Sequence, residues 1–233
     1  MPTETTPIPA ARELSPPPEA VATSRETLRR ALLTCGVLSS VYYLAINVYV
    51  PLQWEGYSLA SQVISELSAI DAPTRSLWVW LSIPYTLLVM ALGMGVWMSA
   101  GPDRRPRIVG GLLVANVIVG AFWPPMHQRG VEPTLTDALH IAWSVAWLVV
   151  MLLAMGFAAA ALGRRFRLYT YATLAAFLVF GTLTAIDGPN VAADLPTPWI
   201  GLWERINIGV GMLWLAVLAI ALLRGKAYEN VVR

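Results

Sequence analysis

Long apolar runs alternate with short polar connections along most of this chain. Their lengths are close to the ~20 residues that cross ~30 Å of hydrocarbon when coiled as a helix. The runs cover residues 30–50, 76–100, 108–123, 138–162, 168–186 and 199–223. The pattern therefore predicts an all-α, polytopic membrane protein with six transmembrane helices.

The segment that follows the first apolar run has a different pattern. Leu59, Val63 and Leu67 recur at helical spacing, whereas Ser65 and Glu66 lie on the opposite stripe. A short amphipathic stretch of this kind is typical of a helix that lies at the membrane interface or dips into the protein. We therefore expect one short interfacial or re-entrant helix after the first span.

The two ends of the chain are polar. Residues 1–24 are rich in Pro, Thr, Glu and Ala and lack apolar periodicity. A segment of this composition buries too little apolar surface to order itself, so we expect a disordered tail. The chain is thus divided into this tail at 1–24, a membrane domain at 25–226 and a second tail at 227–233.

Charge is scarce and unevenly distributed. Only 13% of the residues are charged, whereas soluble domains carry roughly 25%, so little of the chain is expected outside the membrane. Thirteen of the 16 Lys and Arg residues fall near the termini and in the connections at 101–107 and 163–167. Positive charge accumulates on the cytoplasmic side of membrane proteins, which predicts that both termini are cytoplasmic. We expect membrane lipids as partners and no nucleic acid, and we leave open whether the chain forms a homo-oligomer.

The opposite, external face receives most of the remaining polar residues, including both histidines. No ionisable residue lies near the centre of a predicted span, which argues against a proton-coupled pump. Trp143 and Trp203 belong to a group of aromatic residues at this outer level. They form either the usual interfacial belt or the wall of a pocket for a lipid or another apolar ligand.

Asp137 and His140 lie one helical turn apart at the start of the fourth span. A carboxylate beside an imidazole can fix its tautomer and raise its basicity, as a general base requires. Alternatively, Thr134 and Asp137 form a capping box, and Asp137 then serves the helix N-terminus. His127 lies in the preceding loop, where we expect no partner for it. Two histidines 13 residues apart do not make a recognisable zinc site, so we expect no metal and no cofactor.

Two further charged residues are candidates at the outer face. Glu66 is either solvated at the interface or paired with Arg205 or His140. Arg205 lies one turn inside the sixth span beside Glu204. It forms either a structural ion pair, with Glu66 or Asp187 as partner, or a site for an anionic group.

Three short motifs resemble a known family. The run from Ile64 to Ser68 (Ile-Ser-Glu-Leu-Ser) with Ala-Pro at 72–73 is similar to the "ISELG…AP" element of the membrane family called domain of unknown function 998. Trp-Pro at 123–124 followed by His140 resembles its "FP…H" segment, and Gly-Leu-x-Glu-Arg at 201–205 resembles its closing segment. The resemblance covers residues 30–223, with Ser68 where the family commonly has Gly. It implies six helices and the inner membrane of a bacterial cell, and it implies no activity.

These observations leave three functional hypotheses. The first is a polar site at the outer leaflet that binds a lipid or apolar ligand. Its binding residues would be Ser65, Trp143, Asp187, Trp203 and Glu204.

The second hypothesis is a membrane-embedded lipid hydrolase or transferase. His140 would be the general base, Glu66 or Asp137 would orient it, and Arg205 would hold an anionic group. The third hypothesis is a passive transporter.

Overall fold

The computed structural model describes the backbone of residues 18–231 and the side chains of residues 22–225. The tails expected at residues 1–17 and 232–233 lie outside this part of the chain. Six helices and no strand occur within it, which confirms the all-α class. The helices are α1 (Pro18–Tyr49), α2 (Arg75–Met98), α3 (Arg105–Ala121), α4 (Leu135–Ala161), α5 (Arg164–Ala192) and α6 (Ile200–Val231).

The six helices pack in chain order as a closed ring. Each helix contacts the next one along the chain, and α6 returns to contact α1. Consecutive helices run antiparallel; the connections after α2 and α4 are short, whereas the one between α1 and α2 covers residues 50–74. The pair formed by α4 and α5 packs less extensively than any other neighbouring pair in the ring.

Arginine side chains join the helices at one end of the ring. Arg29 of α1 donates to the Ser99 hydroxyl after α2 over 3.1 Å. Arg105 of α3 and Arg167 of α5 donate to the Ala160 and Ala159 carbonyls of α4 over 2.6 and 3.0 Å. Guanidinium groups suit this position because the last carbonyls of a helix lack partners and carry partial negative charge. We call this end of the molecule the basic end.

Five of the six helices are long and apolar enough to cross a membrane. The exception is α3, whose 17 residues correspond to about 25 Å at ~1.5 Å per residue. Large apolar side chains face outward on several helices, for example Leu44, Trp80 and Ile141, which are at least 66% exposed. Outward-facing apolar surface of this extent is what a membrane-embedded helical protein presents to lipid.

The segment after α1 differs from the expectation of an amphipathic helix. Two short 3-10 helices, Pro51–Gln53 and Ile64–Ser68, form there, and the residues between them form turns and irregular backbone. The helical spacing of apolar residues did not predict this structure, because the backbone here forms hydrogen bonds with other parts of the protein. The Ala60 carbonyl, for example, accepts a hydrogen bond from Gly201 N–H of α6 over 2.8 Å. We call residues 54–74 the cap segment and the end of the ring that it covers the cap end.

Other boundaries also differ from those read from the sequence. Helix α1 begins at Pro18, within the segment expected as a tail, and α6 continues to Val231. Helix α5 continues through Asp187 and Pro189 to Ala192, six residues beyond the expected end of the fifth span. Pro189 lies in the last turn of α5, where it removes one backbone donor while its own carbonyl still accepts from Ala193 N–H over 3.1 Å.

Buried apolar residues form one large cluster and two small ones, which make two layers. Tyr43 and Ile208 bridge the layers, because each packs against the large cluster and one small cluster. One thick layer fills the half of the ring nearer the basic end, and it includes Leu92, Met155, Phe177 and Trp214. A thinner layer lies directly beneath the cap segment. Between them, no residue is buried in four stretches of helix, at 75–88, 141–150, 178–190 and 202–210. We call these four stretches the open layer.

The open layer includes positions that face the inside of the ring. Glu204 and Ile208 of α6 are separated by one turn, and Ile208 lies seven residues before the buried Leu215. Positions four and seven residues apart share one face of a helix. The interior face of α6 is therefore tightly covered near the basic end and partly uncovered beneath the cap.

The close approach of α2 and α3 gives a test of the ring. A Cβ on Gly110 would lie 2.5 Å from the Gly93 carbonyl oxygen and 2.7 Å from Trp97 N, whereas a Cβ on Gly120 would meet no atom within 4 Å. We expect Gly110→Ala to lower the free energy of unfolding by about 1–3 kcal/mol through overpacking. Gly120→Ala, on the same helix, is the matched control and leaves it nearly unchanged. Unfolding by SDS in mixed detergent micelles measures both, and equal effects would contradict this packing.

Candidate functional site

A buried ion pair joins the cap segment to the loop between α3 and α4. Arg129 Nε lies 2.6 Å from Glu66 Oε1, and its Nη2 lies 3.1 Å from Oε2. The Glu66 side chain is 2% exposed and the Arg129 side chain 17%. The two-pronged geometry matches the planar guanidinium to the carboxylate. Glu66 is thus paired with Arg129, and the expected pairing with Arg205 or His140 is wrong.

The remaining hydrogen bonds of this pair extend it to a third segment. Arg129 Nη1 donates to the Thr197 hydroxyl over 2.8 Å, and Nη2 donates to the Ser61 carbonyl over 2.7 Å. Glu66 Oε2 also accepts from Val63 N–H over 2.7 Å. The pair therefore fastens the cap segment to the loops before α4 and before α6. Each charge is compensated and hydrogen-bonded, which burial of an ion pair requires.

A second group of contacts holds the start of α6 against the cap segment. Arg205 Nη1 donates to the carbonyls of Leu59 and Gln62 over 2.8 and 2.9 Å, and Nη2 donates to the Tyr57 hydroxyl over 2.8 Å. A Cβ on Gly201 would lie 2.6 Å from the Leu59 carbonyl oxygen, so only glycine fits there. Among the described residues, Arg205 has no carboxylate partner, and the ion pair expected with Glu66 or Asp187 does not form.

Tyr57 links these groups through its phenol. Its hydroxyl donates to the Val63 carbonyl over 2.8 Å while it accepts from Arg205. Burial raises the pKa of the Tyr57 phenol, although the Arg205 guanidinium opposes that shift. The phenol therefore stays protonated and keeps its donor role. Glu204, one residue before Arg205, accepts a short hydrogen bond from Ile64 N–H.

Asp137 has the helix-capping role that the sequence offered as an alternative. Its Oδ2 accepts from Thr134 N–H over 2.8 Å. The same carboxylate accepts from His127 N–H over 2.8 Å and lies 2.8 Å from His127 Nδ1. His127 thus has a partner after all, and Asp137 is engaged by the loop instead of His140. The expectation that His127 stands alone is wrong because the loop folds back onto the start of α4.

His140 is buried between a carbonyl and an indole. Its Nδ1 lies 2.7 Å from the Pro124 carbonyl oxygen and 3.0 Å from Trp123 Nε1. Nδ1 cannot serve both contacts at once, because the Pro124 carbonyl needs a donor and the Trp123 indole N–H needs an acceptor. No carboxylate of the described chain hydrogen-bonds to His140, so the base-and-orienter pair of the enzyme hypothesis is not formed.

The other residues expected at a binding site are spread over several helices. The Trp143 indole donates to the Val119 carbonyl over 3.0 Å and ties α4 to α3. Trp203 packs against Phe180 of α5 with ring centroids 5.9 Å apart. Asp187 accepts a long hydrogen bond of 3.5 Å from Asn190 on its own helix.

Ser65 is half-buried in the 3-10 helix, and no hydrogen bond of its side chain occurs among the described contacts. Among the described contacts, no hydrogen bond or ring contact joins two of the five expected binding residues.

An open cleft lies on the outer surface beside the ion pair. It encloses about 450 Å³ and is lined by polar residues from the cap segment, Arg129, and the loop that begins at Asp194. Arg129 is already neutralised by Glu66, so it does not offer a free positive charge there. The cleft is wide and shallow, which suits a transient surface contact better than an enclosed ligand.

The open layer beneath the cap has a different lining. Its aromatic rings pair with each other or with neighbouring segments: Tyr85 with Tyr43 of α1 at 4.6 Å between centroids, Trp147 with Trp123 of the preceding loop at 6.5 Å, and Phe180 with Trp203 at 5.9 Å. Partly exposed aromatic rings inside a helical ring form a surface suited to acyl chains or other apolar groups.

Sequence reasoning missed three kinds of residue. Arg129 is the only Lys or Arg in the loop between α3 and α4, which is a signal that could have marked it as the partner of Glu66. Thr197 and Tyr57 carry no such signal because their role depends on where the loops meet. Asn207 lies inside the open layer with its amide oxygen buried and unpartnered.

The chain matches the model of the family described as "Protein of unknown function (DUF998)" over residues 37–221. Because the match covers most of the chain, the protein belongs to that family. No curated protein and no solved structure matches the chain.

Breaking the buried ion pair gives a test of the cap. Glu66→Gln leaves the Arg129 charge buried without a counter-charge, so we expect the free energy of unfolding to fall by about 3–5 kcal/mol. Glu132→Gln removes an exposed carboxylate from the same loop as Arg129 and changes it by less than about 0.5 kcal/mol. SDS-induced unfolding in micelles compares the two. A Glu66→Gln protein as stable as the Glu132→Gln control would show that the pair does not hold the cap.

Proposed function

We propose that this protein spans the bacterial inner membrane six times and binds a membrane lipid or another apolar ligand in the open layer beneath the cap segment. In this arrangement the basic end is cytoplasmic, both termini lie on that side, and the shorter helix α3 also crosses the membrane. The cap end faces the cell exterior, at the level of the outer leaflet.

The observation that carries the binding proposal is the interruption in burial between the two packed layers. A helical bundle held together only for stability buries one face of each helix along its whole length. Here the interior face of α6 is partly uncovered at Glu204 and Ile208. Incompletely covered side chains lose dispersion contacts, and an apolar ligand beside them would restore those contacts.

The polar groups on this face favour binding over catalysis. The Glu66 carboxylate is held by Arg129, the Asp137 carboxylate by His127 and Thr134, and the Arg205 guanidinium mainly by backbone carbonyls. A general base must be free to take a proton from the substrate. Most of the hydrogen-bonding atoms of these side chains are already used by other side chains or by the backbone. They serve as the rigid cover of the site.

The orientation is supported by the distribution of arginine. Ten of the described arginines lie near the basic end, and the remaining three are Arg75, Arg129 and Arg205. Lys and Arg in short connections remain on the cytoplasmic side during insertion.

The crossing of α3 gives a test of the topology. Asp103 and Glu132 lie on either side of α3, and a membrane-impermeant maleimide reports which side each one faces. In a Cys35→Ala background, we expect Glu132→Cys to react in intact spheroplasts and Asp103→Cys to react only after lysis. Equal labelling of both before lysis, or of neither, would mean that α3 does not cross.

Filling the open layer gives a test of binding. A Cβ on Gly181 would meet only the Asn207 side chain, at 3.4 Å, and Gly181 is partly covered. We expect Gly181→Phe to place a ring in the ligand space and to lower the lipid that remains bound after exhaustive washing in detergent. Mass spectrometry of the extracted lipid measures the molar ratio of lipid to protein.

The matched control is Gly209→Phe. Gly209 lies in the same layer of the neighbouring helix, is exposed, and has no atom within 4 Å of an added Cβ. It should retain lipid as the unsubstituted protein does. Retention that is equal in both variants, or absent in the unsubstituted protein, would refute the binding proposal.

A further inference from the structure

Unpartnered polar atoms are concentrated beneath the cap segment. In the described part of the chain, four side-chain atoms are buried without a hydrogen-bond partner, and three of them lie on the outer parts of α1 and α6. These three are Asn47 Oδ1, Arg205 Nε and Asn207 Oδ1. A buried polar atom without a partner is costly, and the cost is larger inside a membrane because no bulk water is near.

Asn207 differs from Asn47 and Arg205 because none of its side-chain polar atoms has a hydrogen-bond partner within the described residues. Neither its oxygen nor its nitrogen has a hydrogen bond among the described contacts, and it faces Gly181 of α5. At Asn47, by contrast, Nδ2 donates to the Tyr43 carbonyl over 2.9 Å. An amide with both ends open offers one acceptor and two donors.

The absence of a side chain at Gly181 leaves room beside this amide. The nearest atom to an added Cβ there is Asn207 Nδ2 at 3.4 Å. Asn207 also follows Glu204 by three residues, so both lie toward the interior face of α6. One oxygen of Glu204 accepts from Ile64 N–H. The position beside Asn207 therefore has room for at least a methyl group next to an amide that has no partner.

The charges near this space are balanced. Glu204 is followed by Arg205, and Glu66 is paired with Arg129. A phosphate group would add negative charge next to Glu204, and it would find the Arg205 Nη atoms already bonded to Leu59, Gln62 and Tyr57, with only the buried Nε free. An uncharged group that both donates and accepts a hydrogen bond suits these surroundings, and among lipid headgroups this is the free hydroxyl.

We propose that Asn207 is the polar contact of the bound lipid and that the lipid is an uncharged one with a free hydroxyl, such as a diacylglycerol or a long-chain alcohol. The hydroxyl donates to Asn207 Oδ1 or accepts from Nδ2, and the acyl chain occupies the aromatic part of the open layer. This assignment rests on the proposed lipid-binding function and specifies its ligand class.

A pair of matched ligands tests the assignment. Dioleoylglycerol and its 3-O-methyl ether have the same chains, and the ether lacks the hydroxyl donor. Native mass spectrometry of the full-length, delipidated protein in detergent measures the affinity for each. We expect the alcohol to bind between about twofold and tenfold more tightly, the range of one net hydrogen bond. Dioleoylphosphatidylglycerol, which carries a phosphate, should bind more weakly than the alcohol.

The variant Asn207→Leu separates the polar contact from the cavity. It replaces the amide by an apolar group of similar size, so it should remove the preference for the alcohol over the ether while both still bind. Its thermal midpoint without ligand should equal or exceed that of the unsubstituted protein, because an unpartnered buried amide is removed.

Each outcome has a distinct meaning. If neither ligand binds to the unsubstituted protein, the proposed function itself fails. If the alcohol and the ether bind equally, lipid binding stands and the hydroxyl assignment is overturned, as it would be if water alone satisfied Asn207. If Asn207→Leu keeps the preference, the hydroxyl is bound elsewhere and Asn207 is not its contact.

Discussion

The ion pair between Glu66 and Arg129 is the interaction on which the outer part of this protein depends. It joins three segments that are far apart in sequence: the cap segment, the loop before α4 and the loop before α6. The desolvation of two charges is costly, and the cost is offset only when every lone pair and N–H group finds a partner. The nearby carbonyls and hydroxyls supply those partners, so the loops must meet in one arrangement for the pair to be buried at all.

The two ends of the ring are closed by different chemistry. At the basic end, arginines donate to the last carbonyls of α4, and the helices pack tightly between Leu92, Met155 and Trp214. At the cap end, irregular backbone is tolerated because arginine and glutamate side chains satisfy its polar groups, as backbone at membrane depth requires. The open layer lies between these two closed ends. Its incomplete packing is therefore flanked on both sides by parts of the bundle whose contacts are satisfied.

The helices could be predicted from the sequence because their cause is local. A run of ~20 apolar residues must form a helix in lipid, whatever its neighbours are. The contacts of the candidate site could not be predicted in the same way. The hydrogen bond from Gly201 to the Ala60 carbonyl replaced the expected helix in the cap segment. The partners of Glu66 and Asp137 lie in loops, and the conformation of a loop cannot be read from the spacing of apolar residues. The capping role of Asp137 was readable because it needs only Thr134, three residues away.

The separation of the tightly packed layer from the open layer has a consequence for how such a protein changes over time. Folding stability is concentrated near the basic end, where even one added methylene is costly. Substitutions at partly exposed positions such as Phe180 or Ile208 alter the shape of the inner surface with little loss of stability. Selection can therefore change the inner surface of the ring while the arrangement of its helices stays the same.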